Sequence, residues 1–309
     1  MKIAIVGPGA MGCLFAAFLS KTDADIVLID KDSQRAEKIN QQGIIVEGVS
    51  GSWQAKVKVT SDIKDIGALD LILLCVKSYD TKSACAQVKL LAGENTLVLT
   101  LQNGIGNIEI LGEIIGQDKI IAGITNLGST LIGFGHINHA GFGETIIGRM
   151  DNKLPAGMRS IREVFNKAGL DTRISRDIKG LLWSKLVINA GINPLSAITR
   201  LKNGRLVEAE PARKILRETV TEVVKVIKRK RIKLIFDDPL AKVEAVCEAT
   251  AGNVSSMLQD VLNNKRTEID FINGVVVRMA QELGVPAPVN SFLVELVKTI
   301  EISYGLSLK

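Results

Sequence analysis

The stretch Met1–Ser20, MKIAIVGPGAMGCLFAAFLS, decides the fold of this chain. It begins with a short apolar run, Lys2–Val6, which is typical of a buried β-strand. The hexapeptide GPGAMG follows directly, and a helical pattern continues from it. A G-x-G-x-x-G motif that joins a strand to a helix is typical of a loop that holds the phosphates of a dinucleotide. A purely structural glycine turn is the alternative.

Each glycine of this loop has its own physical task. The first permits a tight turn, the second lets a pyrophosphate approach the backbone, and the third lets the helix pack closely on the strand. The phosphates would then meet free N–H groups at the positive end of the helix dipole. We therefore expect cofactor contacts from Gly7, Pro8, Gly9, Ala10, Met11 and Gly12.

An acidic residue, Asp30, follows the second predicted strand, 18 positions after the last glycine of the loop. Its carboxylate would accept hydrogen bonds from the adenosine ribose and repel a 2′-phosphate, which favours NADH. The ammonium of the adjacent Lys31 would pair with that phosphate, which favours NADPH. We expect both residues to contact the cofactor and leave the choice between NADH and NADPH open. A strand-end ion pair that faces water is the structural alternative.

Short apolar runs alternate with helical patterns up to about residue 176. Continuous apolar runs of this kind are typical of strands that helices cover on both faces. The alternation predicts an α/β fold, a doubly wound parallel sheet of Rossmann type with right-handed crossovers. The segment from Gly133 to Gly148 predicts an antiparallel hairpin appended to this sheet, and Asp171–Ile174 a last edge strand. The predicted buried strands are Lys2–Val6, Ile26–Ile29, Leu69–Val76, Thr96–Leu101 and Ile120–Ile124.

Strand patterns stop after about residue 177, and long amphipathic patterns take their place. We therefore predict two domains: a dinucleotide-binding domain at 1–176 and an all-helical substrate-binding, catalytic domain at 177–309. The length of 309 residues agrees, since a domain has roughly 150. The predicted helical segments of the second half are Lys179–Asn193, Val207–Lys228, Pro239–Cys247, Ile269–Leu283 and Val289–Ser303.

The composition argues against several classes of protein. The formal net charge is only +6, without the dense arginine and aromatic stripe of nucleic-acid binders. The chain contains two histidines, His136 and His139, too few for a typical zinc site or a histidine relay. Four cysteines without C-x-x-C spacing favour a reducing compartment. No run reaches the ~18 apolar residues of a membrane span. We expect a soluble, cytoplasmic protein without a metal, nucleic-acid or membrane partner.

A polar face stands out in the apolar segment Trp183–Thr199. Lys185, Asn189 and Asn193 are spaced i, i+4, i+8 and share one side of a helix. Burying them would be costly unless something polar meets them, so they are candidates for a binding site. A solvent-facing polar stripe is the alternative. Farther along, Thr267 and Asp270 match a helix capping box, for which we predict a structural role.

Taken together, the motifs of the chain resemble the ketopantoate reductase family. The resemblance is collinear and covers nearly the whole sequence. It implies reduction of 2-dehydropantoate to pantoate by hydride transfer from NAD(P)H, in pantothenate and coenzyme A biosynthesis, with NADPH as the usual cofactor and a homodimer as the assembly. The motifs are GPGAMG, Val76-Lys77-Ser78, Gln102-Asn103-Gly104, the Lys185 helix ending in Asn193-Pro194-Leu195, Ser255–Asp260 and Thr267–Asp270.

The resemblance also implies roles for single residues. Lys185 matches the family's catalytic lysine, the general acid. The residues that match substrate-binding positions are Asn189, Asn193, Asn203, Asn253 and Ser256. The residues that match positions near the cofactor are Lys77, Asn103, Ser129 and Glu268. Each has a structural alternative: a surface lysine, a turn or loop residue, or, for Glu268, a carboxylate that favours a helix dipole.

Two other functions remain open from the sequence. The same scaffold could serve a dehydrogenase with another 2-keto acid as substrate, because its helical wall can vary. A non-catalytic protein that senses NAD(P) would also bind the cofactor. Such a sensor would not need Lys185, so the lysine favours an enzyme.

Overall fold

The computed structural model describes residues 1–64 and 66–306. The chain divides into two compact units. The first, here called the sheet unit, comprises residues 1–102 and 107–178; the second, the helical unit, comprises residues 103–106 and those from 179 onward. The predicted domain boundaries, 1–176 and 177–309, and the roles assigned to the two domains stay predictions.

Over its described residues, the sheet unit contains one eight-stranded sheet with the order β12-β11-β8-β7-β6-β1-β2-β5. All neighbours pair in parallel except β8 and β11, so the last two strands run opposite to the rest. The strands are β1 Lys2–Val6, β2 Asp25–Ile29, β5 Lys58–Thr60, β6 Leu71–Leu74, β7 Leu97–Thr100, β8 Ile120–Thr125, β11 Thr145–Gly148 and β12 Thr172–Ile174.

The strand order places the glycine loop at the point where the winding of the sheet reverses. From β1 the chain first builds β2 and β5 on one side and then β6, β7 and β8 on the other. Parallel sheets of this type bind ligands beyond the carboxyl ends of their strands at such a switch point. The loop begins at Gly7, directly after β1.

Helices cover both faces of this sheet, because alternate side chains of each strand point to opposite sides. On β1, Ile3 and Ile5 join a core with the first and fifth helices, whereas Ala4 and Val6 join a second core with the third and fourth. The predicted α/β class is therefore confirmed. The helices are α1 Ala10–Leu19, α2 Ser33–Gln42, α3 Thr81–Leu91, α4 Asn107–Ile115 and α5 Ala156–Lys167.

A second, four-stranded sheet corrects the prediction of an appended hairpin. The hairpin of β9 (Gly128–Gly133) and β10 (His136–Gly141) does not join the main sheet. It pairs through β10 with β3 (Ile44–Gly48), which pairs in turn with β4 (Trp53–Ala55). The segment predicted as one hairpin thus divides, since β10 enters the small sheet and β11 the main one. The alternation of polar and apolar residues indicated strands correctly, but it carries no information on the pairing partner.

The helical unit contains no strand between residues 179 and 306, as the sequence predicts. Two predicted segments prove shorter or interrupted: Ile269–Phe271 forms a 3₁₀ turn ahead of α11, and the pattern from Val207 divides into α7 and α8. Nowhere in the described ranges is a helix long and apolar enough to cross a bilayer. The helices are α6 Ile178–Thr199, α7 Arg205–Glu208, α8 Glu210–Arg229, α9 Pro239–Ala249, α10 Ser256–Leu262, α11 Asn273–Leu283 and α12 Pro288–Ser303.

Candidate active site

Two glycines of the loop after β1 are required by the fold itself. Gly7 has a φ of +103°, and a Cβ there would lie 2.8 Å from Val76 Cγ1. A Cβ on Gly12 would lie 1.9 Å from the carbonyl oxygen of Gly7, a distance that no side chain can adopt. The glycine at position 12 therefore lets α1 lie directly against the turn that begins it.

Gly9 differs, because a Cβ at this position would meet no described atom within 4 Å. It is the N-cap of α1, and among the described residues no side chain caps the helix there. The first backbone bond of the helix runs from the N–H of Cys13 to the carbonyl of Gly9, so the N–H groups of residues 10–12 precede it. Open space beside N–H donors that precede the first helical bond fits a pyrophosphate group.

Ser129 lies close to this loop. Its hydroxyl donates a 3.1 Å hydrogen bond to the carbonyl oxygen of Ala10, the first residue of α1. This contact ties β9 of the small sheet to the start of the helix. The structure therefore places Ser129 beside the glycine loop, and its predicted contact with a cofactor stays a prediction.

The loop that follows β6 is held by a network of side chains. Gln102, after β7, donates to the carbonyl of Val76 (2.9 Å) and to the hydroxyl of Thr81 (2.8 Å). The amide of Asn107 donates to the Ser78 hydroxyl at 3.1 Å. Lys77, half-buried, lies between these anchored residues at the carboxyl edge of the sheet. These hydrogen bonds fix the backbone that carries Lys77. A side chain that contacts a ligand needs such a fixed backbone.

The structure gives Asp30 a partner that the sequence analysis missed. Its side chain is fully buried, and both carboxylate oxygens accept hydrogen bonds from the guanidinium of Arg35 on α2. The N–H of Asp32 also donates to Asp30, at 3.0 Å. The hydrogen bond to Asp30 raises the pKa of Arg35. Lys31 is exposed beside this pair. The sequence signal for this ion pair was the five-residue spacing of Asp30 and Arg35 across the start of α2.

In the helical unit, two oppositely charged residues, Lys185 and Glu268, interact electrostatically. Lys185 lies on α6 and is half-buried; Glu268, in the segment before α11, is only 5% exposed. Burial lowers the pKa of Lys185 to about 8, and the negative charge of Glu268 acts in the opposite direction. A lysine with a pKa near the pH of the cell can give up its proton far more readily than an ordinary one.

Asn103 completes this group, since its side-chain amide donates to Glu268 Oε2 at 3.3 Å. The backbone beside it is docked tightly. Gly104 has a φ of +84°, and a Cβ on it would lie 2.3 Å from the carbonyl oxygen of Phe271. The N–H of Ile105 donates to the same carbonyl at 2.9 Å. Thus the Asn-Gly sequence serves both to turn the chain and to place the Asn103 amide on Glu268.

The other predicted residues of this unit differ in their surroundings. Asn189 is half-buried and Asn193 is buried, both on α6 with Lys185. The amide of Asn203 donates to the hydroxyl of Thr250 at 2.9 Å, while its buried Oδ1 has no hydrogen-bond partner among the described residues. Asn253 and Ser256 are exposed.

Two serines that the sequence analysis did not assign connect these segments. Ser255 caps α10 by accepting from the N–H of Leu258 at 3.1 Å, and its hydroxyl bonds that of Ser196. Ser196 in turn donates to the carbonyl of Asn193 at 3.0 Å. The pair therefore fixes the start of α10, where Ser256 lies, against the last turns of α6. A serine directly before a helical pattern was the signal for the cap.

The predicted capping box at Thr267 and Asp270 is wrong. The Thr267 hydroxyl accepts from the N–H of Ile269, at 3.2 Å, rather than from that of residue 270. The N–H of Thr267 donates to Glu301, and Asp270 pairs with Lys298 at 2.7 Å. In a capping box, the Asp270 carboxylate would accept from the N–H of Thr267. Charged residues of α12 bind both groups instead.

Comparisons with known proteins identify the class. Residues 3–152 match the family model "Ketopantoate reductase PanE/ApbA", and residues 177–301 match "Ketopantoate reductase PanE/ApbA C terminal". The 2-dehydropantoate 2-reductase of Pyrococcus horikoshii is 38% identical over 302 residues, which cover 97% of this chain and 98% of the relative. That of Archaeoglobus fulgidus is 35% identical over 300 residues, with coverage of 97% and 98%.

Solved structures agree. A PanE/ApbA family ketopantoate reductase from Ralstonia eutropha superposes with a TM-score of 0.90 at 35% identity and covers 98% of this chain and 99% of its own. D-mandelate dehydrogenase with NADH and anilino(oxo)acetate gives a TM-score of 0.92 at 28% identity, with coverage of 99% and 100%. The class is therefore an oxidoreductase with a mainly parallel sheet unit and a helical unit. The chain belongs to the ketopantoate reductase PanE/ApbA family.

Replacing Gly12 and Gly9 by alanine should separate the two tasks of the loop. Gly12→Ala should lower the melting temperature by several degrees, because its Cβ collides with the carbonyl of Gly7. Gly9→Ala should lower the melting temperature less than Gly12→Ala does and weaken NAD(P)H binding at least ~10-fold, because a methyl group would occupy the open side of the loop. Thermal unfolding and fluorescence titration measure the two effects. Equal cofactor affinity of Gly9→Ala and wild type would remove the loop as the phosphate site.

Proposed function

We propose that this protein reduces 2-dehydropantoate to pantoate with NAD(P)H, a step of pantothenate and coenzyme A biosynthesis. The observation that carries the proposal is the partly desolvated Lys185 beside the buried Glu268, in a chain of the ketopantoate reductase family. Relatives of nearly equal length bear the name of this activity. The glycine loop supports the cofactor part of the proposal through its open side at Gly9.

The residues of the helical unit suit the reduction of a ketone. When bound, the reduced nicotinamide supplies a hydride to the C2 carbonyl carbon of the substrate. Protonated Lys185 would stabilise the negative charge that develops on the carbonyl oxygen and then donate its Nζ proton to it. Glu268 favours the protonated lysine, while burial keeps the pKa low enough for the proton to leave.

Polar side chains around Lys185 are the proposed ligands of the substrate. Neutral amides and hydroxyls can hold its carboxylate and its C4 hydroxyl without neutralising the lysine. Two members of the set lie together, because the N–H of Asn203 donates to the carbonyl of Asn253 at 3.1 Å. The proposed set is Asn189, Asn193, Asn203, Asn253 and Ser256.

NADPH is the proposed physiological cofactor. The carboxylate of Asp30 is already neutralised by Arg35, so the repulsion of a 2′-phosphate that the sequence suggests is largely cancelled. Arg35 itself is 27% exposed, and Lys31 is exposed next to it. A guanidinium and an ammonium at the end of β2 favour a phosphate ligand.

Lys77, Asn103, Ser129 and Glu268 are proposed to act near the nicotinamide end. The expected homodimer and cytoplasmic location remain proposals based on the family and the cysteine pattern.

A second function is favoured by one comparison. D-mandelate dehydrogenase superposes with a TM-score as high as that of the ketopantoate reductase. The scaffold therefore also fits a dehydrogenase for another 2-hydroxy acid. Initial rates of NADPH oxidation with ketopantoate, and with the keto acid of D-mandelate, distinguish the two. We expect ketopantoate to give a kcat/KM at least ~10²-fold higher; a preference for the aromatic acid would transfer the assignment to the second function.

Replacing Lys185 should abolish most of the activity and change its pH dependence. Lys185→Met should lower kcat at least ~10²-fold. In the wild type, the active form is protonated, so kcat/KM should be constant below pH 8 and fall tenfold per pH unit above it. Lys185→Arg keeps a positive charge to much higher pH and should lose this decline. An unchanged alkaline limb in Lys185→Arg would show that another group titrates.

Replacing Arg35 should reverse or erase the preference for NADPH. Arg35→Met leaves the buried Asp30 carboxylate unpaired and removes a phosphate ligand, so the ratio of kcat/KM for NADPH over NADH should fall at least ~10-fold. Arg159→Met, an exposed arginine of α5, is the matched control and should leave the ratio within twofold. A ratio in Arg35→Met equal to that of the control would exclude Arg35 from the adenosine site.

A further inference from the structure

The helix that carries Lys185 contains a proline that breaks its backbone ladder. Pro194 lies inside α6, one residue after Asn193. In an α-helix the carbonyl of residue 190 accepts from the N–H of residue 194, but proline has no N–H. The carbonyl of Ala190, a residue with 0% exposure, therefore needs a donor from outside the helix.

Asn273, the first residue of α11, provides this donor. Its Nδ2 donates to the carbonyl oxygen of Ala190 at 3.0 Å, and to Oδ1 of Asn290 at 2.9 Å. Asn273 is completely buried, so these bonds form away from water. The side chain replaces the hydrogen bond that Pro194 removes from the ladder of α6.

The orientation of Asn273 is fixed by a second layer of bonds. Asn290 donates through Nδ2 to the carbonyl of Thr219 (3.1 Å) and to Glu222 Oε2 (2.8 Å). Glu222, on α8, accepts also from the N–H groups of Val289 and Asn290 at 3.0 and 2.9 Å. These are free N–H groups of the first turn of α12, where a carboxylate is favoured by the helix dipole. The network thus joins α6, α8, α11 and α12.

Packing confines α6 at the same place. A Cβ on Gly191 would lie 2.9 Å from Val220 Cγ2 and 3.2 Å from Val243 Cγ1, so the helix lies very close to α8 and α9 there. Gly191 lies between Asn189 and Asn193, the two asparagines of the polar face. The interrupted turn therefore lies at the level of the two asparagines along α6, while Gly191 itself points about 200° away from Asn189, toward α8 and α9.

We propose that Asn273 is a positioning residue for the reaction. It supplies the donor that Pro194 lacks and thereby sets the direction of the turn that carries Asn189 and Asn193. Asn273 is also the first residue of α11, five residues after Glu268. Its side chain therefore links α6, which carries Lys185, to the segment that carries Glu268. This inference rests on the proposed function only in assigning the α6 face to substrate binding.

A double-mutant cycle between positions 194 and 273 tests the inference. Asn273→Ala should lower kcat at least ~10-fold, with the KM for NADPH within twofold of the wild type, since displacement of catalytic groups by about 1 Å costs up to 10²-fold. Pro194→Ala restores an N–H at the position that faces Ala190. Pro194→Ala/Asn273→Ala should therefore recover at least ~5-fold in kcat over Asn273→Ala alone.

The matched control is Asn166→Ala, because Asn166 on α5 makes a comparable pair of bonds to the backbone of Thr172. Its effect should simply multiply with that of Pro194→Ala. A double variant no more active than Asn273→Ala, or coupling equal to that of the Asn166 control, overturns the proposal. If Asn273→Ala does not fold, the same comparison is made on folding: Pro194→Ala must restore a cooperative melting transition, and failure to do so overturns the proposal.

Hydrogen–deuterium exchange of the peptides from α6 provides a readout that does not depend on the substrate. Exchange at residues 190–198 should accelerate in Asn273→Ala and return toward the wild-type rate in the double variant. A wild-type protein without activity on ketopantoate would contradict the proposed function, and the exchange cycle would still decide the role of Asn273. Unchanged exchange in Asn273→Ala would overturn that role.

Discussion

The partial removal of Lys185 from water is the constraint on which the rest of the helical unit depends. Burial lowers the pKa of this lysine from an ordinary 10.5 to about 8, and Glu268 prevents a larger decrease. Between these two pH values the unfolded chain binds a proton that the folded chain lacks, so the free energy of unfolding rises with pH there. At neutral pH the protonated, partly desolvated lysine therefore lowers the free energy of unfolding. Such costs are typical of residues that function requires.

Much of the surrounding structure can be understood as support for this pair. Asn103 donates to Glu268, and Gly104 lies tightly against Phe271, the last residue of the 3₁₀ turn that Glu268 begins. On α6, the loss of one backbone bond at Pro194 is compensated by Asn273 rather than avoided. The first arrangement uses the half-buried amide of Asn103 and the second the fully buried Nδ2 of Asn273, a donor that would cost free energy if it were left unsatisfied.

The sequence predicts the elements of this protein better than their partners. The glycine loop, the parallel strands and the helical second half follow from periodicity, so the fold class could be predicted. The placement of β10 in a separate sheet could not, because alternation does not specify a neighbour. The same limit applies to the site: Lys185 was identified from the resemblance and the polar face. The pairing of Asp30 with Arg35 and of Ala190 with Asn273 depends on contacts that no local pattern encodes.

The most direct test of this account is the pKa of Lys185 itself, measured by NMR titration of the ¹³Cε resonance in protein labelled at lysine, with Lys185→Arg to assign the signal. We expect a midpoint near pH 8 in the wild type and a lower midpoint in Glu268→Gln, since the glutamate charge raises the pKa of the lysine. A midpoint near 10.5 that does not change in Glu268→Gln would contradict it, because Lys185 would then be a solvated lysine without a coupled carboxylate.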